Sequence, residues 1–295
     1  MANILTTSGI TKRYKKKTVV DNLSLEVEKG AIFGLLGPNG SGKTTTLSIL
    51  LDVIPADSGS FQWFEKKPSH ISRKKIGAII ETPNFIGYLS AQKNLEIVAT
   101  IKEIAYSDIE RVLRLVNLFG RKDDPFKTFS LGMKQRLAIA AALLGKPEVL
   151  LLDEPTNGLD PKGIVEIRNL IMSIAKEGVT IIIASHVLDE IEKVCTHVAI
   201  IKNGILLTQG SVDRILGDEC ILELKASDMN HLAMALQKYS VRSEIRQEQD
   251  MYIVKFYSLV RNNELNEYLV GEGVVLTHLS QRKKKLELQF LEITK

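Results

Sequence analysis

Short apolar runs alternate with amphipathic segments along the first part of the chain. Runs rich in Ile, Leu and Val predict buried strands at residues 31–36, 76–80, 149–152 and 179–184. Apolar side chains at positions 109, 112, 113 and 116 recur at the spacing of one helix face, and residues 43–51 and 163–176 also predict helices. Strands that alternate with helices predict an α/β fold whose largely parallel sheet is covered on both faces.

A longer helical stretch, residues 90–145, interrupts this alternation. It predicts a helical subdomain at about 82–145 within a domain of residues 1–216. From residue 217 to residue 295 the predicted order is β-α-β-β-α-β, which is typical of a small ferredoxin-like α+β domain. Its predicted strands are 221–225, 241–246, 251–257 and 274–279, and its predicted helices are 228–239, 259–269 and 286–293.

The composition of the chain restricts its class, its compartment and its partners. With 44% hydrophobic and 25% charged residues among 295, the chain can bury a full core. Its formal net charge of +4 lies in short basic clusters, which are typical of solvated turns, so no nucleic-acid partner is expected. Two cysteines predict a reduced, intracellular protein without a disulfide framework. Because a membrane span needs about 20 apolar residues, any membrane association is expected to come through a partner.

A glycine-rich loop lies between the first predicted buried strand and a predicted helix. It fits the pattern G-x-x-x-x-G-K-[ST], and its residues are Gly37, Pro38, Asn39, Gly40, Ser41, Gly42, Lys43 and Thr44, with Thr45 following. Glycines let backbone N–H groups turn toward phosphates, and the helix N-terminus adds its partial positive charge. We expect Lys43 to reach the β- and γ-phosphates of a nucleotide, and the Thr44 hydroxyl to ligate Mg²⁺.

Acidic and imidazole side chains follow two later strands. Asp153 ends the run that begins at residue 149, where its carboxylate can hold Mg²⁺ through water. Glu154 is expected on the other side of the chain, because side chains alternate along a strand, and from there it can polarise an attacking water. His186 follows the next buried strand at the edge where open α/β sheets bind ligands. It is placed to hydrogen-bond a γ-phosphate.

Five motifs within residues 4–215 resemble those of the ABC transporter ATPases, and they follow one another in the order and at the spacing found in that family. The family's signature motif corresponds to residues 129–133, its D-loop to residues 158–160 and its switch histidine to His186. Tyr14 matches the aromatic residue that stacks on adenine. The resemblance implies a P-loop NTPase cassette with a helical subdomain, which binds ATP with Mg²⁺ and hydrolyses it.

The resemblance also assigns Ser130, Gly132, Met133 and Asp160 to nucleotide binding. Ser130 can cap the signature helix, and in the family that helix serves the ATP held by another subunit. One phosphate loop per chain implies that a second ATP-binding cassette, identical or paralogous, comes from another chain. Membrane-spanning permease subunits are the other implied partners, which gives a peripheral location on the cytoplasmic face of the membrane.

Two departures from the family pattern narrow the resemblance. Leu131 and Met133 stand at the third and fifth signature positions, where Gly and Gln are common. Glu81 stands where the family has a glutamine that ligates Mg²⁺, a role that a carboxylate can also take. Together with the ending at residues 290–294, these features resemble the branch that exports bacitracin-like and lantibiotic peptides. Peptide or drug efflux is therefore the implied function.

Three apolar side chains just after Glu81 have two interpretations. Phe85, Ile86 and Tyr88 can form the groove that receives a helix of the membrane subunit, or they can be core of the helical subdomain. The sequence leaves both open.

Two other functions compete with a transport motor. A soluble ABC ATPase acting on ribosomes or DNA is the first, but the stretch from Thr45 to Ser130 is too short for a long coiled coil, and the chain carries one cassette. A module that senses ATP without hydrolysing it is the second. The presence of Glu154 and His186 argues against it.

Overall fold

The computed structural model describes residues 2–81, 84–216, 220–241, 243–257, 260–282 and 286–293. These residues form two compact units, Met1–Val212 and Asp213–Ile293, which are described separately below. Residues 82, 217 and 259, which begin a predicted subdomain, a predicted domain and a predicted helix, lie outside the described residues.

The first unit contains two sheets and a set of helices. Its strands are β1 (Asn3–Tyr14), β2 (Lys17–Leu23), β3 (Glu26–Glu28), β4 (Ile32–Leu36), β5 (Ser58–Trp63), β6 (Ile76–Ile79), β7 (Val149–Asp153), β8 (Thr180–Ser185), β9 (His197–Lys202) and β10 (Ile205–Ser211). Its helices are α1 (Lys43–Leu50), α2 (His70–Lys74), α3 (Ala91–Ile101), α4 (Ser107–Leu115), α5 (Leu131–Leu143), α6 (Pro161–Lys176) and α7 (Leu188–Val194). Helix α8 (Val212–Leu216) follows.

The larger sheet has six strands in the order β10-β9-β4-β8-β7-β6. All neighbouring pairs from β9 to β6 are parallel, and β10 is antiparallel to β9. Strands β4, β7 and β8 are buried along their whole length, which explains their unbroken apolar sequences. The segments after β4, β8, β7 and β6 therefore meet at one edge of this sheet.

A smaller antiparallel sheet packs its apolar face on the same core. Strand β1 lies between β2 and β3 and also pairs with β5. Its Leu5 shares a buried cluster with Phe33 of β4, Leu47 of α1 and Trp63 of β5. The Trp63 indole donates a hydrogen bond of 2.8 Å to the Leu50 carbonyl, so its one polar group is satisfied inside the core. This packing fixes α1, and with it the loop that leads into α1.

The stretch predicted as helical, residues 90–145, consists of α3, α4 and α5 joined by turns and two 3₁₀ segments, Phe119–Arg121 and Phe126–Thr128. Helix α5 comes very close to the edge strand β6. A Cβ atom on Gly77 of β6 would lie 2.3 Å from the Ala142 carbonyl oxygen, so only glycine fits there. Helix α6 begins at Pro161, two positions before the predicted start at residue 163, because proline suits the first helical position and Asp160 caps it.

The second unit contains β11 (Cys220–Ala226), α9 (Met229–Lys238), β12 (Ser243–Glu248), β13 (Met251–Phe256), α10 (Asn262–Gly271), β14 (Leu276–Arg282) and α11 (Leu286–Ile293). Its strands form one antiparallel sheet in the order β12-β13-β11-β14. The two helices that connect these strands, α9 and α10, contribute to one apolar cluster with the sheet. This arrangement is consistent with the predicted ferredoxin-like domain.

Element bounds in the second unit differ from the predicted ones. The sequence predicts β12 over 241–246, but the strand runs from Ser243 to Glu248, because its pairing with β13 continues through three exposed polar residues that show no apolar pattern. Strand β14 runs from Leu276 to Arg282 rather than 274–279, because its pairing with β11 continues through polar residues as far as Arg282. Among the described residues, no helix combines the length and the apolar character needed to cross a bilayer.

Candidate functional site

The glycine-rich loop connects β4 to α1 at the carboxyl edge of the larger sheet. Gly42 has φ of 102°, and a Cβ atom there would lie 2.5 Å from the Val19 carbonyl oxygen. A side chain is therefore excluded on both grounds. At Gly37 a side chain is excluded by the steric ground alone, since a Cβ atom there would lie 2.3 Å from the Ile201 carbonyl oxygen. Pro38, Asn39 and Gly40 are exposed on the rim of the loop.

Lys43 places its ammonium group inside this loop. The side chain is only 5% exposed, and Nζ donates hydrogen bonds of 2.8 Å to the Gly37 carbonyl and 3.3 Å to the Pro38 carbonyl. Glu154 Oε1 lies 3.5 Å from the same nitrogen. A buried cation ringed by backbone, at the N-terminus of α1, makes the loop an anion-binding site.

Thr44 and Asp153 meet across the first turn of α1, where Thr45 also lies partly buried. The Thr44 hydroxyl donates a 2.7 Å hydrogen bond to Asp153 Oδ2, and Asp153 is 6% exposed. Burial raises the pKa of the Asp153 carboxyl, the hydrogen bond from Thr44 opposes this shift, and the nearby charge of Glu154 adds to it. Asp153 Oδ1 and Ser41 Oγ are buried oxygens without a hydrogen-bond partner. Such oxygens fit a hard cation such as Mg²⁺.

Glu154 does not lie on the opposite side of the chain from Asp153, as strand alternation predicted. Strand β7 ends at Asp153, and Glu154 has φ of +47°, so the two-residue period stops there. Both carboxylates face one open cleft of about 410 Å³. Glu154 Oε2 lies 2.9 Å from His186 Nδ1, which brings the predicted base and the predicted switch histidine into contact.

Ser185, the last residue of β8, is a functional residue that the sequence interpretation missed. Its side chain is 2% exposed and donates a 3.3 Å hydrogen bond to Glu154 Oε2. Ser185 Oγ itself accepts a 3.0 Å hydrogen bond from the Val187 N–H, which leaves its hydroxyl proton directed toward Glu154. A hydroxyl directly before a candidate histidine was visible in the sequence, but no local pattern named its partner.

The cleft beside Glu154 also contains Glu81. This residue has φ of +60°, is exposed, and lines the cleft with Thr44, Asp153 and Glu154. Its charge contributes to the raised pKa of Asp153. The remaining lining includes side chains that were not predicted as site residues, among them Lys134, Gln135 and Asn157.

The signature residues lie at the start of α5. Ser130 caps this helix as predicted, since its hydroxyl accepts a 3.3 Å hydrogen bond from the Met133 N–H. Ser130, Gly132 and Met133 line a second cleft of about 440 Å³, together with Asp160. Asp160 accepts a 2.9 Å hydrogen bond from the Gly163 N–H, so its carboxylate caps α6 in this structure. None of the phosphate-loop residues lines this second cleft.

Tyr14 ends β1 at the hairpin that leads to β2. Its ring is 48% exposed, and Lys12 Nζ lies 5.7 Å from the ring centroid. The hairpin pairs Tyr14 with Lys17, and β2 then passes the phosphate loop at Val19. The ring is therefore exposed, at the end of a hairpin whose second strand passes the phosphate loop.

The two interpretations of the apolar residues after Glu81 apply to different side chains. Phe85 packs edge-on against Phe126, with ring centroids 5.1 Å apart, as expected for the subdomain core. Ile86 and Tyr88 are 40% and 76% exposed. These two side chains are free to meet a partner.

Comparisons with known proteins show which proteins this chain is similar to. The family model that describes ABC transporters matches residues 20–157. The bacitracin transport ATP-binding protein BcrA of Bacillus licheniformis is 40% identical over 300 residues, which cover 99% of this chain and 98% of the relative. The lantibiotic transport ATP-binding protein SrtF of Streptococcus pyogenes is 40% identical over 221 residues, which cover 75% of this chain and 95% of the relative.

Solved structures share the fold. One is cbiO1 from Clostridium perfringens, part of the ABC transporter complex cbiONQ, with a TM-score of 0.66 and 28% identity over 72% of this chain and 89% of that one. Another is the ADP conformation of MJ1267, an ATP-binding cassette of an ABC transporter. It has a TM-score of 0.67 over 72% of this chain and 93% of that one, and at 23% identity it shows the fold alone. The predicted cassette fold and the predicted resemblance are confirmed.

Replacement of Ser185 by alanine is expected to slow ATP hydrolysis while ATP affinity stays within about twofold. The Ser185 hydroxyl holds a carboxylate, and a hydrogen bond to a charged group contributes about 1.5–3 kcal/mol, so turnover should fall about ten- to a hundredfold. Steady-state hydrolysis and equilibrium nucleotide binding measure the two effects.

The control is Ser185→Thr, which keeps the hydroxyl and should recover most of the activity. Equal turnover of Ser185→Ala and the parent protein would exclude this positioning role.

Proposed function

This chain belongs to the family of ABC transporter ATP-binding proteins, whose members are ATPases, and from that premise we propose how its residues bind and hydrolyse ATP to drive export. The observation that carries the proposal is the meeting of Lys43, the Thr44–Asp153 pair and the Glu154–His186 pair at one sheet edge. Binding, metal-holding and water-activating groups are thereby adjacent.

The phosphate loop supplies the binding step. Its backbone N–H groups and the N-terminus of α1 surround the phosphates of ATP. Lys43 exchanges its contacts with the Gly37 and Pro38 carbonyls for contacts with the β- and γ-phosphates. Tyr14 stacks on the adenine ring. The phosphates thus replace carbonyl oxygens and the Glu154 carboxylate around a buried cation.

Thr44 and Asp153 would hold Mg²⁺, with Glu81 facing the same cleft. The ion, when bound, neutralises charge that develops on the β- and γ-phosphate oxygens. The unpartnered Oδ1 of Asp153 supports this assignment, because a buried carboxylate oxygen without a donor is costly unless a cation completes its contacts. Glu81 adds a negative charge that the usual glutamine would not.

Hydrolysis requires a water positioned for attack on the γ-phosphate. Glu154 polarises this water, and its carboxylate is oriented by the hydroxyl of Ser185. His186 releases Glu154 Oε2 and donates a hydrogen bond to the γ-phosphate. In this structure Glu154 contacts Lys43 and His186, so arrival of the triphosphate frees the carboxylate for its catalytic role.

A second cassette completes each nucleotide site. The cleft lined by Ser130, Gly132, Met133 and Asp160 contains none of this chain's own phosphate-loop residues. The N–H groups at the start of α5 are available to an anion, and Ser130 already caps the helix. We therefore assign this cleft to the ATP held by a second chain, identical or paralogous.

Membrane-spanning permease subunits are the proposed transport partners. The exposed side chains of Ile86 and Tyr88 are candidates for contact with a cytoplasmic helix of such a subunit. The chain would then lie at the cytoplasmic face of the membrane as a peripheral subunit. Similarity to bacitracin and lantibiotic transport proteins supports a peptide antibiotic or a similar drug as the exported substrate.

The proposed organisation is a cassette over residues 1–216, with a helical subdomain at about 82–145, and an accessory domain over residues 217–295. The division into compact units supports this assignment. The cassette contains every residue that the proposed ATPase cycle uses. The accessory domain supplies no residue to this proposed cycle.

Replacement of Glu154 by glutamine is expected to keep ATP binding and to suppress hydrolysis by about 10²–10⁴-fold, because general-base help of that size is lost. The variant should also accumulate as an ATP-bound dimer, which size-exclusion chromatography with ATP detects. Unchanged hydrolysis would remove Glu154 from this role.

Affinity purification from detergent-solubilised membranes tests the transport assignment. We expect a protein with several membrane spans to be recovered with the chain, in a ratio that survives high salt. A double variant, Ile86→Asp with Tyr88→Asp, should lose this protein and keep its own ATPase activity. Recovery of ribosomes or DNA in its place would contradict the proposal and favour a soluble ATPase.

A further inference from the structure

The C-terminal end of α5, the helix that begins at the signature residues, is held by two cationic side chains. The last carbonyl groups of a helix have no partner within it. Lys102 Nζ donates hydrogen bonds of 2.8 Å to the Ala141 carbonyl and 3.3 Å to the Ala142 carbonyl. The Arg111 guanidinium donates a hydrogen bond of 3.0 Å to the Leu143 carbonyl. Positive charge at this end also matches the helix dipole.

The two cations differ in how their charge is balanced. Arg111 forms a bidentate pair with Asp108, with N···O distances of 2.6 Å and 3.0 Å. Lys102 is partly buried and forms no ion pair with any carboxylate among the described residues. Burial lowers the pKa of Lys102 to about 8, and the charge of Asp108 opposes this shift. The negative end of α5 is therefore the direct partner of the Lys102 ammonium.

A small displacement at this end of α5 is carried to the other. The helix has 13 residues, which span about 20 Å at about 1.5 Å per residue. Its C-terminal turn rests against β6, where the Ala142 carbonyl occupies the space above Gly77. Lys102, at the C-terminus of α3, ties the same turn to the neighbouring helix. A tilt about this contact moves Ser130 and Gly132.

We propose that Lys102 is a positioning residue for ATP hydrolysis: its ammonium holds the C-terminal turn of α5 and so sets the angle at which Ser130 and Gly132 meet the nucleotide of a second chain. This inference rests on the proposed function, in which the signature cleft, lined by Ser130, Gly132, Met133 and Asp160, closes over the ATP held by a second chain. Lys102 lines neither the cleft beside Glu154 nor the cleft at Ser130 and Gly132, so its effect belongs to closure of the dimer rather than to binding of ATP by one chain.

The test separates these two steps in the full-length Glu154→Gln protein, which binds ATP without turnover. In Lys102→Met, the ATP concentration for half-maximal dimer formation should rise about tenfold, while ATP affinity measured under dilute, monomeric conditions stays within about twofold. Lys102→Arg keeps the charge and should restore closure. Lys74→Met is the matched control: Lys74 and Lys102 line one open cavity of about 850 Å³, but Lys74 pairs with the exposed Glu103 at 2.7 Å.

A second measurement holds even where Lys102→Met folds poorly. Dimer closure of the Glu154→Gln parent should weaken as pH rises through about 8, since the ammonium loses its proton there, whereas the Lys102→Arg variant should show no such loss. Both proteins share every other group that faces this position, namely Asp108 and Arg111 on α4, His70, Arg73 and Lys74 on α2, and Glu103.

Three outcomes would overturn the proposal. Equal closure of Lys102→Met and its parent would exclude the role, and so would parallel pH profiles of the parent and Lys102→Arg. A matching loss of monomeric ATP affinity would also overturn it, because the effect would then not be specific to dimer closure. If the Glu154→Gln parent itself never dimerises with ATP, the proposed function fails rather than the role of Lys102.

Discussion

The structure depends on a buried ammonium group, that of Lys43, enclosed by backbone carbonyls and one carboxylate. Placing a charge there is costly unless it is paired, and the loop supplies the pairing only because its glycines admit no side chain at the closest approaches. The core beneath the loop fixes α1, and α1 fixes Lys43. In this structure the cation lies 3.5 Å from Glu154 Oε1, so in the proposed cycle the charge that binds a triphosphate also restrains the proposed base.

The parallel sheet brings the chemistry to one place. Strands β4, β8 and β7 are neighbours, and each ends in a segment that bears a functional group. The left-handed turn at Glu154 then directs its carboxylate toward Ser185 and His186. Helix α5 contributes to both clefts at its N-terminal end: Lys134 and Gln135 line the cleft beside Glu154, while Ser130, Gly132 and Met133 line the second cleft. Its C-terminus is held by Lys102 and Arg111. In the proposed function, one chain therefore presents two half-sites that differ in chemistry.

Much of the site was predictable because its signals are local. The spacing of Gly37, Gly42 and Lys43 predicted the loop, and Ser130 was recognised as a helix cap from the residues that follow it. The predicted orientation of the Glu154 side chain was wrong, because side chains alternate only as far as the strand continues, and β7 ends at Asp153. Ser185 and Lys102 were missed because their hydrogen-bond partners are distant in sequence, and no local sequence pattern indicates those partners. In the second unit, β12 and β14 continue through polar residues that pair with β13 and β11, so their C-terminal bounds lie beyond the apolar pattern.

Complementation between two inactive chains measures the central claim most directly, namely that one chain's phosphate loop and another's signature segment form a single site. Lys43→Ala damages the loop alone. Gly132→Asp puts a negative charge at the signature cleft, and a Cβ atom at Gly132 meets no atom within 4 Å of its own chain. Each variant alone should hydrolyse almost no ATP, and a mixture should regain hydrolysis, because one mixed dimer site has both halves intact. A mixture as inactive as its components, with both variants folded and dimerising, would contradict the account.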